Sequence, residues 1–507
     1  MYGNFRLPQT FFRLFCCFHR IFHNNSSFLI PHFRFLSYLR SMIRLSIADR
    51  TRGLQGHVTL PASKSISNRA LLLSQLCADG PAPLSNVADC EDTRVMREAL
   101  LGSTGQQVNR STGQQVNKST RWMRSAKRLV DSLTCCLVDP TIIDVRGAGT
   151  AMRFLTAFYA QREGADVVLT GIERMKQRPI APLVDALRAL GADITYTETE
   201  GCPPLHIRGR KLHGDMICVD GSISSQYVSA LLMIAPMTGA SRLTLTGRIV
   251  SRPYIEMTRV LMAHFGVQTT WEDEHTLLIP TSTYQAKPLT IEGDWSAASY
   301  WLAFEALARR QGIPYDVTLN GLTMPSLQGD SICAEFFYKS TSQQVNKSTS
   351  REVEKSTSQQ VNKPTSHVDP ILVDFTDCPD LVQTMAVAYC LLGQPYTFTG
   401  TESLRVKETD RIAALIAELG KLGYTLTYED GTLSYKPTSQ QVRKSTSGAG
   451  AVPVIATYND HRMAMAFALA AMTHDDVCIE HPEVVSKSYP AFWDDLRSVG
   501  FKIVSSE

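Results

Sequence analysis

Five short stretches of the chain combine cations, hydroxyls and glycines at spacings that suit an anion-binding site. They span residues 61–70, 147–153, 221–226, 405–411 and 458–462. Each precedes an apolar-periodic run, so each is predicted to open a helix. Helix N-termini and glycine-rich backbones favour bound anions, and four of the stretches also carry a Lys or an Arg. A capped, solvated helix start explains any one of them alone, but together they indicate a site for a polyanion.

Two pairs of residues sharpen this prediction. Lys407 and Arg411 lie four residues apart, so they are predicted to share one helix face with Glu408 beside them. Two stacked cations repel unless an anion binds between them. Ser65 and Arg69 have the same spacing, and an arginine against an apolar helix is costly unless an anion pairs with it. A carboxylate or a phosphate is therefore expected at both places.

Further side chains are candidates for the same site. Hydroxyls and cations come from Ser224, Ser225, Arg178 and Lys487. The serines either cap a helix or donate to phosphate oxygens, and the cations alone would pass as surface charges. The acids close to the cations are Glu408 and Asp380, and a simple helix cap is the alternative for Asp380. A cationic pocket with two acids suits proton transfer on phosphorylated carboxylates.

Other chemistries lack their motifs in this sequence. Walker A, H-E-x-x-H and G-x-S-x-G are all missing, which argues against a nucleotide-triphosphate engine, a zinc protease and a serine hydrolase. Met152 stands where a dinucleotide fingerprint requires Gly or Ala. The twelve cysteines include no C-x-x-C pair, which argues against zinc and favours a reducing, cytoplasmic setting.

The overall charge also excludes some partners. The chain has 507 residues and a formal net charge of +3. Residues 1–48 and 103–128 each contribute +6 with no acid, so the remainder carries −9. A broad basic footprint for nucleic acid is therefore absent. No window of 18 apolar residues occurs, so no membrane span is expected.

Two kinds of segment are set apart from the fold. Residues 1–41 hold nine Phe but no acid, and they are predicted to be a non-structural extension, with a transit-like leader as the alternative. The octad STGQQVNR at 103–110 recurs with small changes at 111–118, 340–347 and 356–363. Residues 103–128, 340–367 and 437–449 are accordingly predicted to be low-complexity surface insertions.

A longer repeat indicates the architecture. An amphipathic helix, a glycine and an alternating strand recur, with the glycine at 191, 266, 423 and 500. A fifth copy begins at 97–102, ending on Gly102, and a sixth at 332–339, and both are cut by insertions. The pattern predicts one α/β module repeated about six times, in two sets of three joined near Pro288.

Eight motifs in this order resemble the 5-enolpyruvylshikimate-3-phosphate (EPSP) synthase family: SKSISNRALLL, GAGTAMR, MKQRPI, DGSISSQ, SRPYIEMT, DCPD, RVKETDR and YNDHRMAM. The resemblance runs from about Met42 to the C-terminus, apart from the repeats. It implies the α/β, two-domain enolpyruvyl-transferase fold, with three βαβαββ units in each domain. The N-terminal domain would be 63–287, and the C-terminal domain 42–62 with 288–507.

The resemblance also implies a reaction. The enolpyruvyl group of phosphoenolpyruvate passes to the 5-hydroxyl of shikimate 3-phosphate, and phosphate leaves, without a metal or a cofactor. C3 of phosphoenolpyruvate is protonated while the hydroxyl attacks C2, and then the proton and phosphate leave. The expected partners are these two small molecules, with no nucleic acid and no membrane, and the protein is expected to be a cytoplasmic monomer.

Roles for individual residues follow from the same resemblance. Phosphoenolpyruvate would be held by Lys64, Gly149, Arg178, Gln226, Arg411, Arg462 and Lys487. Shikimate 3-phosphate would be held by Ser65, Arg69, Ser224, Ser225, Gln226, Ser251, Tyr254, Asp380, Ser403 and Lys407. The catalytic residues would be Asp380, Glu408 and Lys64, with His461 assisting. Asp380 would accept the proton of the reacting hydroxyl, and Glu408 would serve as acid and base at C3.

Two departures and two alternatives qualify the resemblance. The family often has Asn at the positions of Gly147 and Ser403, so one contact to each substrate is weakened here. The nearest alternative is the related enolpyruvyl transferase of UDP-N-acetylglucosamine. That family has Lys-Asn where this chain has Lys64 and Ser65, and it uses a loop cysteine as its acid. The other alternative is a catalytically inactive, anion-binding relative.

Overall fold

The structure, a computed structural model, describes residues 41–108, 140–337, 369–437 and 452–506, with the backbone alone at 103–108 and 506. Residues 1–40 of the proposed extension and most of the three proposed insertions lie outside the described residues.

The N-terminal segment alternates strands and helices that supply both halves of the molecule. Its elements are β1 (Met42–Ile47), β2 (Leu54–Thr59), α1 (Lys64–Gln75), β3 (Leu84–Ser85) and α2 (Glu91–Val108).

Two modules with the order β-α-β-α-β-β follow. The first consists of β4 (Thr141–Asp144), α3 (Gly149–Gln161), β5 (Asp166–Thr170), the short α4 (Glu173–Lys176), α5 (Ala181–Ala189), β6 (Asp193–Tyr196) and β7 (Leu205–Arg208). The second consists of β8 (Met216–Asp220), α6 (Ser225–Thr238), β9 (Arg242–Thr246), α7 (Arg252–His264), β10 (Thr270–Trp271) and β11 (Thr276–Leu278).

The rest of the chain repeats the same order. A connecting part consists of β12 (Leu289–Thr290), α8 (Trp295–Gln311) and β13 (Tyr315–Asn320). The next module consists of β14 (Ile371–Asp374), α9 (Val382–Leu392), β15 (Tyr396–Thr399), α10 (Arg411–Lys421), β16 (Leu426–Glu429) and β17 (Thr432–Tyr435). The last consists of β18 (Val454–Ile455), α11 (His461–Phe467), β19 (Val477–Glu480), α12 (Phe492–Val499) and β20 (Phe501–Ser506).

Within the described residues, four four-stranded sheets share one topology. Their orders are β4-β5-β7-β6, β8-β9-β11-β10, β14-β15-β17-β16 and β18-β19-β1-β20. In each, the first two strands are parallel and the others antiparallel, as in β4 and β5, where Thr141 lies opposite Val167. The N-terminal strand β1 completes the last sheet between β19 and β20. Three of the six expected modules therefore have the βαβαββ order that the resemblance implies, the last has βαβαβ with β1 as its fourth strand, and the other two are described in part.

The buried apolar side chains of the described residues form two clusters. The N-terminal core runs from Ala62 to Ile291. The C-terminal core combines Ile43 to Leu60 with the buried residues from Trp295 onward. The chain passes from the C-terminal core to the N-terminal core after Leu60 and returns after Ile291. Two parallel strand pairs lie beside these two crossings, β2 with β13 and β3 with β12. Helices and strands on either side of these crossings can thus present side chains to a shared cleft.

The glycine that follows each complete helix repeat behaves as predicted. Gly191, Gly266, Gly423 and Gly500 have φ of +93°, +95°, +88° and +119°, a region that glycine enters without a steric penalty. The prediction for Gly102 is wrong, since α2 continues through it to Val108. The helix therefore includes the first six residues of the first octad, 103–108, rather than ending where the repeat begins.

Two properties of the described segments bear on the expected partners. None of the helices in residues 41–108, 140–337, 369–437 and 452–506 combines the length and apolar character that crossing a membrane requires. The same residues contain no group of three or more His, Cys, Asp or Glu arranged to hold a metal ion.

Candidate active site

Helix N-termini from both cores surround one cavity. Several helices contribute lining residues from their first turn or from the loop just before it. They include α1, α3 and α6 from the N-terminal core and α8, α9 and α11 from the C-terminal core. Each N-terminus carries unsatisfied N–H groups and a partial positive charge. The cavity is therefore suited to anions before any charged side chain is counted.

Most of the predicted site residues line this cavity. They are Lys64, Ser65, Arg69, Gly149, Arg178, Ser224, Ser225, Gln226, Ser251, Tyr254, Asp380, Ser403, Lys407, Glu408, Arg411, His461 and Arg462. Lys487 is not among them. It lies in an adjoining side cavity with Gly147, Arg178 and Glu408, and its Nζ donates to the carbonyl of Asn459 at 2.6 Å.

Asp380 is the acid around which the cations gather. Its Oδ1 lies 3.0 Å from Arg411 Nη1 and 3.8 Å from Lys407 Nζ, and its Oδ2 lies 2.9 Å from Arg462 Nη2. Burial raises the pKa of Asp380, but Arg462, Lys407 and Arg411 outweigh it and hold the pKa below its usual range. Asp380 does not cap a helix, because neither helix start beside it shows a side-chain cap hydrogen bond. It is an ionised hydrogen-bond acceptor.

Arg411 joins the acids of the site. Its guanidinium contacts Asp460 at 2.7 Å, Asp380 at 3.0 Å and Glu408 at 2.9 Å, and its side chain is 2% exposed. Asp460 also caps α11 by accepting from the backbone N–H of Arg462 at 2.9 Å. This buried network therefore fixes the start of α10 against the start of α11.

The prediction that Lys407 and Arg411 share a helix face is wrong. A 3-10 helix spans Glu402–Val406, Lys407 is extended, and α10 begins only at Arg411. The physical reason is the cap: the Asp410 side chain accepts from Ala413 N–H at 3.1 Å and so sets the helix start. The two cations still converge, because each reaches Asp380 from a different element.

Glu408 links the two cores. Its Oε2 lies 2.9 Å from Arg411 and its Oε1 lies 3.9 Å from Arg178, which belongs to the other core's side of the cavity. Burial raises the pKa of Glu408, but Arg411 and Arg178, with a smaller contribution from Lys407, hold it well below its usual range. Glu408 is thus ionised. Bound anions would compete for these cations and raise its pKa.

Arg69 is a buried cation held by neutral groups. It donates to the Ser65 carbonyl at 3.0 Å, to Thr258 Oγ1 at 2.7 Å and to Ser229 Oγ at 2.9 Å. None of the ion pairs among the described residues includes Arg69, and burial lowers its pKa to about 10. A buried charge without a counter-ion is costly, so this position favours an anionic ligand.

Lys64 has an acidic partner that sequence reasoning missed. Its Nζ lies 3.2 Å from Asp92 Oδ2. Burial lowers the pKa of Lys64, but Asp92 outweighs burial and raises it to about 12, so the lysine is charged. Asp92 follows Glu91 in the first turn of α2, where acids are common for dipole reasons alone, and nothing in its spacing points to Lys64.

Other cavity residues were also missed. They are Asp294, Ser296, Tyr300 and Asp330, whereas Arg153, which also lines the cavity, belongs to the predicted stretch 147–153. Asp294 caps α8 by accepting from Ala297 N–H at 3.2 Å, a role that the sequence Gly-Asp before an apolar run could have indicated. Burial raises the pKa of Asp330 to about 6, and its Oδ1 is buried without a hydrogen-bond partner among the residues that the structure describes. No local pattern marks Asp330 as a cavity residue.

His461 is a neutral imidazole. Burial, followed by the nearby charges of Lys64 and Arg462, lowers its pKa well below the usual value. In the part of the chain that the structure describes, neither ring nitrogen has a hydrogen-bond partner, and a carboxylate oxygen, Asp460 Oδ1, lies 3.7 Å from Nδ1. In this state His461 can donate or accept one hydrogen bond but does not contribute positive charge.

This neutral state predicts a pH-dependent stability. The folded pKa of His461 is depressed, so only the unfolded chain binds the proton below pH about 6.5, and stability is lost as pH falls through that value. Between pH 7.5 and 5.5 the loss from this residue is about 1.4 kcal/mol. The free energy of unfolding is measured by urea denaturation at both pH values. We expect His461→Gln to remove this part of its decrease, whereas His57→Gln, at an exposed position, leaves the decrease unchanged. An identical fall in wild type and His461→Gln would contradict a neutral His461.

Comparison with known proteins gives a consistent result. Residues 48–496 match the family model described as EPSP synthase (3-phosphoshikimate 1-carboxyvinyltransferase). A relative from Bacteroides fragilis named 3-phosphoshikimate 1-carboxyvinyltransferase is 43% identical over 90% of this chain and 97% of its own length. A Vibrio campbellii relative of the same name is 36% identical over 88% of this chain and 97% of its own length.

Solved structures agree on the fold. An EPSP synthase from Acinetobacter baumannii superposes with a TM-score of 0.62 at 18% identity, covering 92% of this chain and all of that one. At that identity the likeness concerns the fold, while the family model and the relatives concern the sequence. The sequence match, which spans both cores and every stretch that lines the cavity, shows that the chain belongs to the EPSP synthase (3-phosphoshikimate 1-carboxyvinyltransferase) family.

Proposed function

We propose that this chain transfers the enolpyruvyl group of phosphoenolpyruvate to the 5-hydroxyl of shikimate 3-phosphate, with release of phosphate, in the shikimate pathway to chorismate and the aromatic amino acids. The observation that carries the proposal is the pair of partly buried, ionised acids, Asp380 and Glu408, held by cations inside a ring of helix N-termini. Such a site has positive charge for two phosphorylated carboxylates and acids to move protons.

Shikimate 3-phosphate occupies the side of the cavity nearer the N-terminal core. Its carboxylate pairs with Arg69, beside Ser65 and Tyr254, because Arg69 is buried without an acidic partner. Its phosphate meets the hydroxyls of Ser224, Ser225 and Ser251, with Gln226 nearby. Ser224 Oγ accepts from the Gln226 backbone N–H at 3.3 Å as a helix cap, so its own hydrogen is free to donate to a phosphate oxygen.

Phosphoenolpyruvate lies between the two cores. Its anionic groups are bound by Lys64 and Arg178 from one side and by Arg411 and Arg462 from the other, with Gly149, Gln226 and, from the side cavity, Lys487. Several of these cations are paired with Asp92, Glu408 and Asp380. Substrate binding therefore replaces or shares internal ion pairs rather than filling a site of free charges.

The acids divide the proton transfers. Asp380, ionised and beside Lys407, accepts the proton of the 5-hydroxyl while the hydroxyl oxygen bonds to C2 of phosphoenolpyruvate. Glu408, protonated once bound anions have raised its pKa, delivers a proton to C3, which converts the double bond into a tetrahedral intermediate. The C2–O bond to phosphate then breaks, a C3 proton returns to Glu408, and the enol double bond reforms. Lys64 stabilises the charge that develops on the leaving phosphate.

The close approach of Arg178 to Gly149 predicts a specific defect. A Cβ added at Gly149 would lie 2.6 Å from Arg178 Nη1 and 3.0 Å from Nη2, so the guanidinium must move. We expect Gly149→Ala to raise the KM for phosphoenolpyruvate about ten-fold, as loss of part of one charge-assisted hydrogen bond would, with kcat changed much less. The matched control is Gly147→Ala, whose added Cβ stays 3.6 Å from its nearest neighbour. Equal kinetics in the two variants would contradict the placement of Arg178 at this substrate.

The proposed function is tested by acceptor specificity. Phosphate release from phosphoenolpyruvate is measured with shikimate 3-phosphate, with UDP-N-acetylglucosamine and with neither, and the organic product is identified by its mass. Release only with shikimate 3-phosphate is expected. Release only with the sugar nucleotide would favour the related transferase, and no release with either would favour an inactive relative. The Lys64-Ser65 pair, in place of Lys-Asn, favours the first outcome.

Several features of the protein stay predictions. We propose that the two cores correspond to domains 63–287 and 42–62 with 288–507, and that the protein is a cytoplasmic monomer. Ser403 lines the cavity and contributes a hydrogen bond of shorter reach than the Asn found in many family members. Gly147 lies in the side cavity with Lys487 and offers no side chain to phosphoenolpyruvate.

A further inference from the structure

A second arginine from the N-terminal core's side of the cavity reaches across to the loop that carries the acid–base residues. Arg174 lies in the short helix α4, four residues before Arg178. Its Nη2 donates to the backbone carbonyl of Lys407 at 3.2 Å. Arg178 approaches Glu408, the next residue, at 3.9 Å. The segment 173–178 thus contacts two consecutive residues of the opposite side through two guanidinium groups.

The contacted loop needs a positional restraint. Lys407 follows the 3-10 helix Glu402–Val406 in an extended conformation and precedes the helix that starts at Arg411. Its Nζ lies 3.8 Å from Asp380, whereas its carbonyl accepts from Arg174. A hydrogen bond to that carbonyl fixes the peptide between Lys407 and Glu408. The directions of both side chains depend on the orientation of this peptide.

We propose that Arg174 is a positioning residue, which couples the approach of the two cores to the placement of Lys407 and Glu408 over the reacting groups. This inference rests on the proposed function. Arg174 does not touch substrate in it: Arg174 holds the 407–408 peptide, Lys407 lies beside the base Asp380, and Glu408 transfers the proton at C3. Because the bond crosses the cleft, it forms only when the N-terminal and C-terminal cores are close together.

The alternative is that Arg174 is an ordinary surface cation, and its surroundings argue against this. Within the described residues, its Nε is buried without a hydrogen-bond partner and none of the ion pairs includes Arg174. Lys176, in the same short helix, shows the ordinary arrangement, since its Nζ pairs with Glu198 at 2.7 Å on an exposed surface. Partial burial of the Arg174 guanidinium costs solvation free energy, and no acidic partner among the described residues offsets it. The hydrogen bond across the cleft to the Lys407 carbonyl offsets part of this cost.

The test compares Arg174→Ala and Arg174→Lys with Lys176→Ala as the matched control. In Arg174→Ala we expect kcat to fall about ten- to thirty-fold, the loss of one hydrogen bond from a charged donor. The dissociation constant of shikimate 3-phosphate alone, by titration calorimetry, should change less than about three-fold, because Arg69 and the serines that bind it are untouched. Arg174→Lys keeps a charged donor and should recover part of kcat, and Lys176→Ala should match wild type.

A chemical rescue separates positioning from general damage. Added guanidinium ion, at concentrations that leave the Lys176→Ala control unaffected, should restore part of the turnover of Arg174→Ala. Unchanged kcat in Arg174→Ala overturns the proposal, and so does a loss that neither lysine nor guanidinium corrects, or one matched by an equal loss of shikimate 3-phosphate affinity. If wild-type protein itself fails to turn over, the proposed function fails instead, so the two failures are distinguishable.

Discussion

Asp380→Asn lowers kcat by about three orders of magnitude while the protein remains folded, in the middle of the range for losing a general base. Asn keeps the size of the side chain and can still accept a hydrogen bond, but it can no longer take the hydroxyl proton. The structure supports so large an effect, because Arg411, Arg462 and Lys407 all face this carboxylate.

The measurement is steady-state phosphate release with both substrates, with circular dichroism to check folding. The control is Asp475→Asn, which removes the same charge at an exposed position of the same half of the chain and should leave kcat within about two-fold of wild type, the usual scatter of surface substitutions. Turnover of Asp380→Asn near the wild-type rate would assign the base to another residue. Loss of folding in this variant would instead show that the carboxylate serves mainly to neutralise its cations.

Arg411→Ala destabilises the protein by about 3–5 kcal/mol and abolishes measurable turnover, because truncation leaves a buried cluster of acids without its central cation. Asp380, Glu408 and Asp460 each lie within 3.0 Å of the Arg411 guanidinium. Like charges brought together in a buried site repel strongly when their counter-ion is gone. The free energy of unfolding is measured by urea denaturation near neutral pH.

A matched control is available close by in the sequence. Arg405 pairs with Asp410 at 3.3 Å, but its side chain is 61% exposed. Arg405→Ala should therefore cost less than about 1 kcal/mol. Similar losses in the two variants would show that the cluster around Arg411 is not the buried network that the contacts indicate.

The pH dependence of the Arg411→Ala defect has a definite sign. In wild type the folded pKa values of Asp380 and Glu408 are lowered, so their contribution to stability is present above the unfolded values near pH 4 and is lost as pH falls through the folded values. Without Arg411 those carboxyls protonate at higher pH. The difference in stability between wild type and Arg411→Ala should accordingly shrink as pH is lowered, and a difference that grows in acid would contradict this explanation.

Local sequence pattern was sufficient to predict those features that a single short stretch of the chain determines. The glycines that stop the four complete helix repeats, and the charged stretches that open helices at the cavity, are placed as predicted because capping and backbone freedom are local properties. The repetition of an α/β module followed from the same pattern, whereas its βαβαββ order was implied by the resemblance to the family. Convergence of the stretches on one cavity needed several of them together, since each alone fits an ordinary capped helix.

Sequence pattern failed where a tertiary or competing local contact decided the outcome. Spacing placed Lys407 and Arg411 on one helix face, but the Asp410 cap starts the helix later. Asp92 and Arg174 were missed because their partners, Lys64 and the Lys407 carbonyl, lie 28 and 233 residues away in the chain. Lys487 was expected in the main cavity, and only the packing of the final module shows that it enters from the side.

Deuterium incorporation decides whether the acids in this cation-lined cavity transfer protons to and from C3 during enolpyruvyl transfer. Wild-type protein is incubated with both substrates in D₂O, and the product is examined by NMR and mass spectrometry. We predict deuterium in the methylene group of the product from wild-type protein, and neither product nor deuterium above background from Glu408→Gln. Product formed at full rate with an undeuterated methylene group would contradict the proposed mechanism, because C3 would then never have been protonated.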